Sequence, residues 1–154
     1  MLLLRARETA MARFRPILHE HGVTEQQWRA LRALHDLGEL TAAGLAAECA
    51  ILAPSMTRIL RKLAEHEWVT VTRSARDQRE LKVRISDKGQ RLVDELGPKI
   101  EHQYELLREQ LRPERLNSLY DDLQHLIDLG TPSEGEPASE QDRESREPKR
   151  MSSR

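Results

Sequence analysis

The stretch Asp77-Gln78-Arg79-Glu80-Leu81-Lys82-Val83-Arg84-Ile85-Ser86-Asp87-Lys88-Gly89 decides how this chain is read. Leu81, Val83 and Ile85 alternate with Lys82 and Arg84, the period of a strand with one apolar face. Upstream, Val69 and Val71 alternate with Thr70 and Thr72 in the same way. The two runs predict a hairpin whose long polar tip, from Arg73 to Glu80, holds Arg73, Arg76, Asp77 and Arg79. Ser86 then caps a helix, so the second strand runs straight into helical chain.

Helical signals precede the hairpin. Leu4, Met11, Phe14, Ile17 and Leu18 recur at helical spacing, with Pro16 expected to kink or break the helix and His21-Gly22 to close it. Thr24-Glu25-Gln26-Gln27 reads as a capping box, with Val23 and Trp28 at the staple positions. The helix that follows carries Leu31, Leu34 and Leu37 and ends at Gly38. Thr41 caps a short helix with Leu45 and Ala46. A turn through Cys49 to Leu52 leads to another helix, with Pro54 in its first turn. Met56, Ile59, Leu60 and Leu63 form the apolar face of that helix. Ser55, Thr57, Arg58, Arg61 and Lys62 lie mainly on its other side.

Two short helices joined by a tight turn, then a basic hairpin, describe a winged helix-turn-helix, mainly α with a small β-wing. Beyond it, Leu92, Val93, Leu96, Ile100, Tyr104, Leu107 and Leu111 make one stripe, with Gly97-Pro98 predicting a bend. Leu116, Leu119, Tyr120, Leu123, Leu126 and Ile127 make another, after Pro113. These stripes need a partner, and a second copy of the chain is the natural one. The expected organisation is a dimerisation helix over residues 1–22, the winged domain over 23–86 and further dimerisation helices over 87–130. Residues 131–154 carry almost no apolar side chains and are expected to be a disordered tail.

Charge follows the same division. The 154 residues have a net charge of −1. Residues 53–84 nevertheless hold eight Lys/Arg against four acids, and residues 101–128 hold three arginines against seven acids. A basic middle suits a DNA-facing surface. One cysteine excludes an intramolecular disulfide framework and a Cys-based zinc site. No stretch reaches membrane-spanning length and no leader pattern is present, so a cytoplasmic protein is expected. No nucleophile–base set, phosphate loop or dinucleotide motif appears, which argues against an enzyme and against a cofactor.

With Asp77-x-Arg79 and the Ser86-x-x-Gly89 turn in this context, residues 4–130 resemble the MarR family of bacterial transcription regulators. Three segments sharpen the resemblance: Arg13-Phe14-Arg15-Pro16-Ile17, Thr24-Glu25-Gln26-Gln27-Trp28-Arg29 and Cys49-Ala50-Ile51-Leu52-Ala53-Pro54-Ser55-Met56-Thr57. They are similar to the regulators of homoprotocatechuate operons within that family. The resemblance implies a homodimer that represses an aromatic-acid catabolic operon at a palindromic site in double-stranded DNA, and that releases it when a phenolic acid such as a hydroxyphenylacetate binds.

The residues then take expected roles. Arg58 or Arg61 would read guanine edges, with Ser55, Thr57 and Lys62 on phosphates. Arg73, Arg76 and Arg79 would serve the wing, with Asp77 orienting Arg79 towards the minor groove. A phenolic acid needs a cation for its carboxylate and a flat apolar wall for its ring: Arg15 would pair with the carboxylate, Trp28 would wall the ring and His19 or Arg32 would contact the polar end, although the simplest reading of Trp28 is core, as part of the staple. Cys49 reads either as an oxidant sensor or as a buried structural thiol, and no basic residue flanks it in sequence to favour the sensor. A fold that has kept its shape and lost DNA binding, serving protein contacts instead, is the reading from another class, against which the basic wing argues.

Overall fold

The computed structural model describes residues 1–73 and 80–130. Arg76, Asp77 and Arg79, and the tail from 131 onward, lie outside them. The described residues fall into two compact units, one over residues 1–110 and one that begins at residue 111.

The first unit runs α1 (Leu2–Glu20), α2 (Glu25–Leu37), β1 (Leu40–Thr41), α3 (Ala42–Glu48), α4 (Ala53–Glu65), β2 (Val69–Arg73), β3 (Leu81–Ile85) and α5 (Asp87–Gln110). Its local signals are those of the sequence. In the capping box, the Gln27 amide donates to Thr24 Oγ1 at 3.2 Å and the Thr24 amide donates to Gln27 Oε1 at 2.8 Å. Thr41 Oγ1 accepts from the Gly44 amide at 2.9 Å and so caps α3. Gly22 and Gly38 take the left-handed φ values of +67° and +80° that end α1 and α2.

Phe14, Leu18, Leu31, Leu34, Leu45, Met56, Leu63, Val83, Val93 and Leu96 form one continuous core. Helix α1 packs on α5, α2 on α5 and β3, and α4 on β2. The axes of α3 and α4 meet at 109°, within the range of a helix-turn-helix. The turn between them is tied by Ala50 and Ile51 amides donating to the carbonyls of Ala47 and Ala46 at 3.0 and 2.9 Å.

The hairpin is in the expected register, with Val71 opposite Val83 and Val69 opposite Ile85. Sequence periodicity misses β1, whose Leu40 and Thr41 pair with Val83 and Lys82 to complete a sheet of order β1-β3-β2. It also places Leu81 inside, whereas Leu81 is 37% exposed. Leu81 pairs with Arg73 at the tip-side end of the ladder, past the last buried residue, Val83. Similarly Leu4, counted in the first helix's stripe, is exposed, and α1 contributes only Phe14 and Leu18 as fully buried residues.

Neither internal proline breaks its helix. Pro16 sits inside α1 and Pro98 inside α5, both of which continue past it.

The second unit holds α6 (Pro113–Gly130), none of whose residues is buried. Leu119, Tyr120, Leu126, Ile127 and Leu129 are all exposed. Among the described residues no single helix is long and apolar enough to cross a membrane.

Candidate DNA-reading face and ligand cleft

The junction between wing and α5 is closely packed. Ser86 donates its hydroxyl to the Glu67 carbonyl at 2.6 Å and accepts from the Gly89 amide at 3.1 Å. Its own amide donates to the Trp68 carbonyl at 3.0 Å. One serine therefore caps α5 and locks the helix onto the turn that links α4 to β2. Gly89 is buried against the same Trp68 carbonyl, so close that a Cβ there would stand 2.1 Å from that oxygen. The Ser86-x-x-Gly89 motif thus anchors the wing to α5.

On α4 the polar face is laid out as expected. Arg58, Arg61, Lys62 and Thr57 are exposed and Ser55 is half-buried. The Thr57 hydroxyl donates to its own helix at Ala53 O, 3.1 Å away, and keeps its lone pairs for an outside donor. Lys62 and Arg61 reach Glu65 at 2.6 and 3.8 Å. Those pairs lie in solvent, and such pairs contribute little, so a phosphate can replace Glu65 at small cost. The hydrogen bond from Lys62 holds the Glu65 carboxyl below the usual carboxylate range, so it competes as an anion. Arg58 has no ion-pair partner among the described residues. Arg73 ends β2, exposed, beside the wing tip.

The four residues expected to surround a ligand divide between two depressions. Trp28 and Arg32 line a cleft of about 310 Å³ with Arg7 and Met11 of α1, Arg29 of α2, and Gly97, Ile100, Glu101 and Tyr104 of α5. Arg15 and His19 line another, of about 250 Å³, with Leu18, Val23 and Thr24. Glu25 is the wall they share.

Glu25 is the hub of an ion network. It accepts from Arg15 Nε at 2.5 Å and from Arg7 Nη2 at 2.7 Å. Arg15 also binds Glu8, and Arg7 binds Glu8 at 2.7 Å. Burial pushes the Glu25 carboxyl up, but hydrogen bonds from Arg15 and Arg7 outweigh it and hold the group below the ordinary range. The same bonds, from Glu8 first and Glu25 second, push Arg15 higher still. Arg15 thus stays charged, with both of its ion-pair partners already in place.

Arg32 is differently placed. Its guanidinium lies 6.0 Å from the centre of the Trp28 ring and makes one contact of 3.2 Å, one helical turn on, with the exposed Asp36. Gly97 of α5 lies beside the guanidinium: a Cβ there would stand 4.0 Å from Arg32 Nη1. Trp28, placed by sequence at the staple, is only half-buried, and its ring forms a wall of the cleft. Tyr104 faces it from α5 and meets Phe14 with ring centres 4.7 Å apart. Sequence reasoning missed Arg7 and Tyr104, because only packing of α1 and α5 beside α2 brings them to the indole.

Cys49 is 1% exposed. Burial pushes its thiol up; Arg29, whose guanidinium donates to the Cys49 carbonyl at 2.7 Å, pulls it down by less. The chain thus does hold a cation beside this cysteine, twenty residues away, but the net shift is away from the thiolate that oxidants attack. We expect the native protein to resist a chromogenic disulfide reagent and to react fully once denatured. Fast labelling of the folded chain, with loss of DNA binding under peroxide that Cys49→Ser abolishes, would restore the sensor reading.

Residues 23–81 match the MarR family. The HTH-type transcriptional regulator FarR of Neisseria gonorrhoeae is 36% identical over 127 residues, 82% of this chain and 87% of that protein. The homoprotocatechuate degradative operon repressor of Escherichia coli is 37% identical over 128 residues, 83% of this chain and 86% of that protein. Among solved structures, NadR in complex with 4-hydroxyphenylacetate superposes with a TM-score of 0.71 at 36% identity, covering 80% of this chain and 88% of that one.

Proposed function

The chain belongs to the MarR family of winged-helix transcriptional regulators, and from that membership we propose that it is a homodimeric repressor of an aromatic-acid catabolic operon, released from DNA by a phenolic acid of the hydroxyphenylacetate type. The observation that carries the reading is the cleft itself. It joins an indole wall, a guanidinium over that wall and a phenol from α5, the groups that a ring bearing a carboxylate and a hydroxyl requires.

In this reading the DNA contacts are Ser55, Thr57, Arg58, Arg61, Lys62 and Arg73, with Arg76, Asp77 and Arg79 at the wing. Trp28 walls the effector ring and Arg32 takes its carboxylate. Arg15 and His19 border the site across Glu25, which Arg15 holds jointly with Arg7. Support for dimerisation comes from apolar side chains left in water: Leu2, Leu3 and Leu4 on α1, and the exposed row on α6. A two-fold dimer would set its recognition helices about one DNA turn, roughly 34 Å, apart.

Regulation follows from where the cleft lies. It draws on α1 and α5, which would belong to the dimer base, and on α2, which belongs to the reading head. A ligand shifts the spacing of the heads only by its difference in affinity between the two arrangements. The test combines light scattering with a DNA-release titration using 4-hydroxyphenylacetate and 3,4-dihydroxyphenylacetate. A dimer at micromolar concentration whose bound operator is released by either acid is expected. A monomer, or a complex indifferent to both acids, contradicts the corresponding part.

A further inference from the structure

The recognition helix α4 starts against the ordinary rules for helix ends. Hydroxyls cap the other helices of the winged domain and α5: Thr24, Thr41 and Ser86. At α4 the capping position is Leu52, which supplies no side-chain acceptor, and the first turn carries no acid. Ser, Thr, Asp or Asn would stabilise the helix there. Leu52 is instead 79% exposed, an aliphatic side chain standing in water. Ala53 and Pro54 beside it are exposed too. The leading edge of α4 is thus an uncharged apolar knob, followed one turn later by Arg58 and then by Arg61 and Lys62.

A side chain that forgoes local stabilisation and stays in solvent has a partner outside the chain to look for. Recognition helices of helix-turn-helix proteins bring their N-terminal residues to the base edges of the major groove. Of the groups displayed there, the C5-methyl of thymine is the apolar one, and aliphatic side chains read it by contact. We propose that Leu52, supported by Ala53, is a specificity-determining residue that packs on a thymine methyl in each half-site of the operator. This rests on the operator-binding reading above. The contact removes apolar surface from water on both partners and strands no polar group.

The test separates methyl contact from general DNA affinity. A duplex is selected from a randomised pool with the wild-type protein. It is then rebuilt with each thymine replaced singly by deoxyuridine, which removes only the methyl. Fluorescence anisotropy is measured for wild type and Leu52→Ser, together with their unfolding midpoints. For wild type, one replacement per half-site should weaken binding roughly fourfold, the value of one buried methyl-sized group. Leu52→Ser should bind the thymine and uracil duplexes alike, while unfolding at the same or a higher midpoint because serine caps the helix. Wild type indifferent to every replacement, or a variant that keeps the discrimination, overturns the proposal. Discrimination intact but the dimer altered in light scattering assigns the knob to a protein contact and likewise overturns it. A wild-type protein that enriches no duplex at all overturns the operator-binding reading instead, and the methyl contact with it.

Discussion

Gly89→Ala should lose most of its folded population in mild denaturant, although it adds one methyl group at a position well outside the helix-turn-helix, which ends with α4 at Glu65. The added Cβ would stand 2.1 Å from the Trp68 oxygen, 3.0 Å from its carbon and 2.9 Å from Ile85 Cγ1. Two of these atoms are backbone, and that backbone is pinned. The Trp68 carbonyl accepts from Ser86, the Glu67 carbonyl accepts from the Ser86 hydroxyl, and the β2–β3 ladder begins at the next pair, Val69 with Ile85. Relief requires α5 to lift from the wing. Overpacking that a side chain can absorb costs about 1–3 kcal/mol; here the obstacle is main chain, so the loss should reach or pass the upper figure. Against a total stability of about 5–15 kcal/mol, that is a large share. Ser86→Ala, which removes the cap and the bond to the Glu67 carbonyl without adding bulk, should cost about 1–2 kcal/mol. Urea unfolding followed by far-ultraviolet dichroism compares the three proteins. A Gly89→Ala midpoint at or above that of Ser86→Ala would show that the wing and α5 are not held together as described.

Whether such a residue can be seen in sequence depends on how far its partner lies along the chain. The capping box at Thr24–Gln27 was legible because all its atoms lie within four residues, and so was the alternation of Val69 to Thr72. The Ser86-x-x-Gly89 turn was legible as a motif, but the reason for its glycine was not, since the obstructing carbonyl belongs to Trp68, 21 positions earlier. β1 is two residues long, too short to show a period, and exists only by pairing with β3 more than forty residues away. Trp28 was placed correctly at the staple position, yet spacing alone does not say whether an indole at that position is sealed in the core or left as the wall of a cleft. The same limit applies to cations. Arg15 and Arg32 look alike in sequence, and only the fold shows that one is clasped by Glu8 and Glu25 while the other has a single contact at its edge.

That difference between arginines sets the second large effect. Three arginines line the cleft, Arg7, Arg29 and Arg32, with Glu25 and Glu101 as its acids. Arg7 is held by Glu25 and Glu8, and Arg29 is turned to the Cys49 carbonyl. Glu101 is drawn to Arg108 at 2.8 Å. Arg32 is therefore the cation most easily given to an incoming carboxylate, for its bond to exposed Asp36 is a pair within one helix, of a kind worth only tenths of a kcal/mol. Asp36 does not depend on Arg32, because His35 holds it first, at 2.7 Å, and keeps its carboxyl below the ordinary range. Hydrogen bonds to charged groups contribute about 1.5–3 kcal/mol, so Arg32→Ala should weaken binding of 4-hydroxyphenylacetate roughly ten- to a hundredfold. Arg15→Ala should change it little, because Arg7 still holds Glu25 in the shared wall. Neither variant touches α4, so DNA binding without effector should match wild type in both, and only the acid concentration needed for release should move. Calorimetry with the acid, beside the release titration, reads both quantities. If Arg15→Ala proves the more damaging of the two, the carboxylate sits on the far side of Glu25, in the depression with His19, and the cleft against Trp28 is not where the effector is recognised.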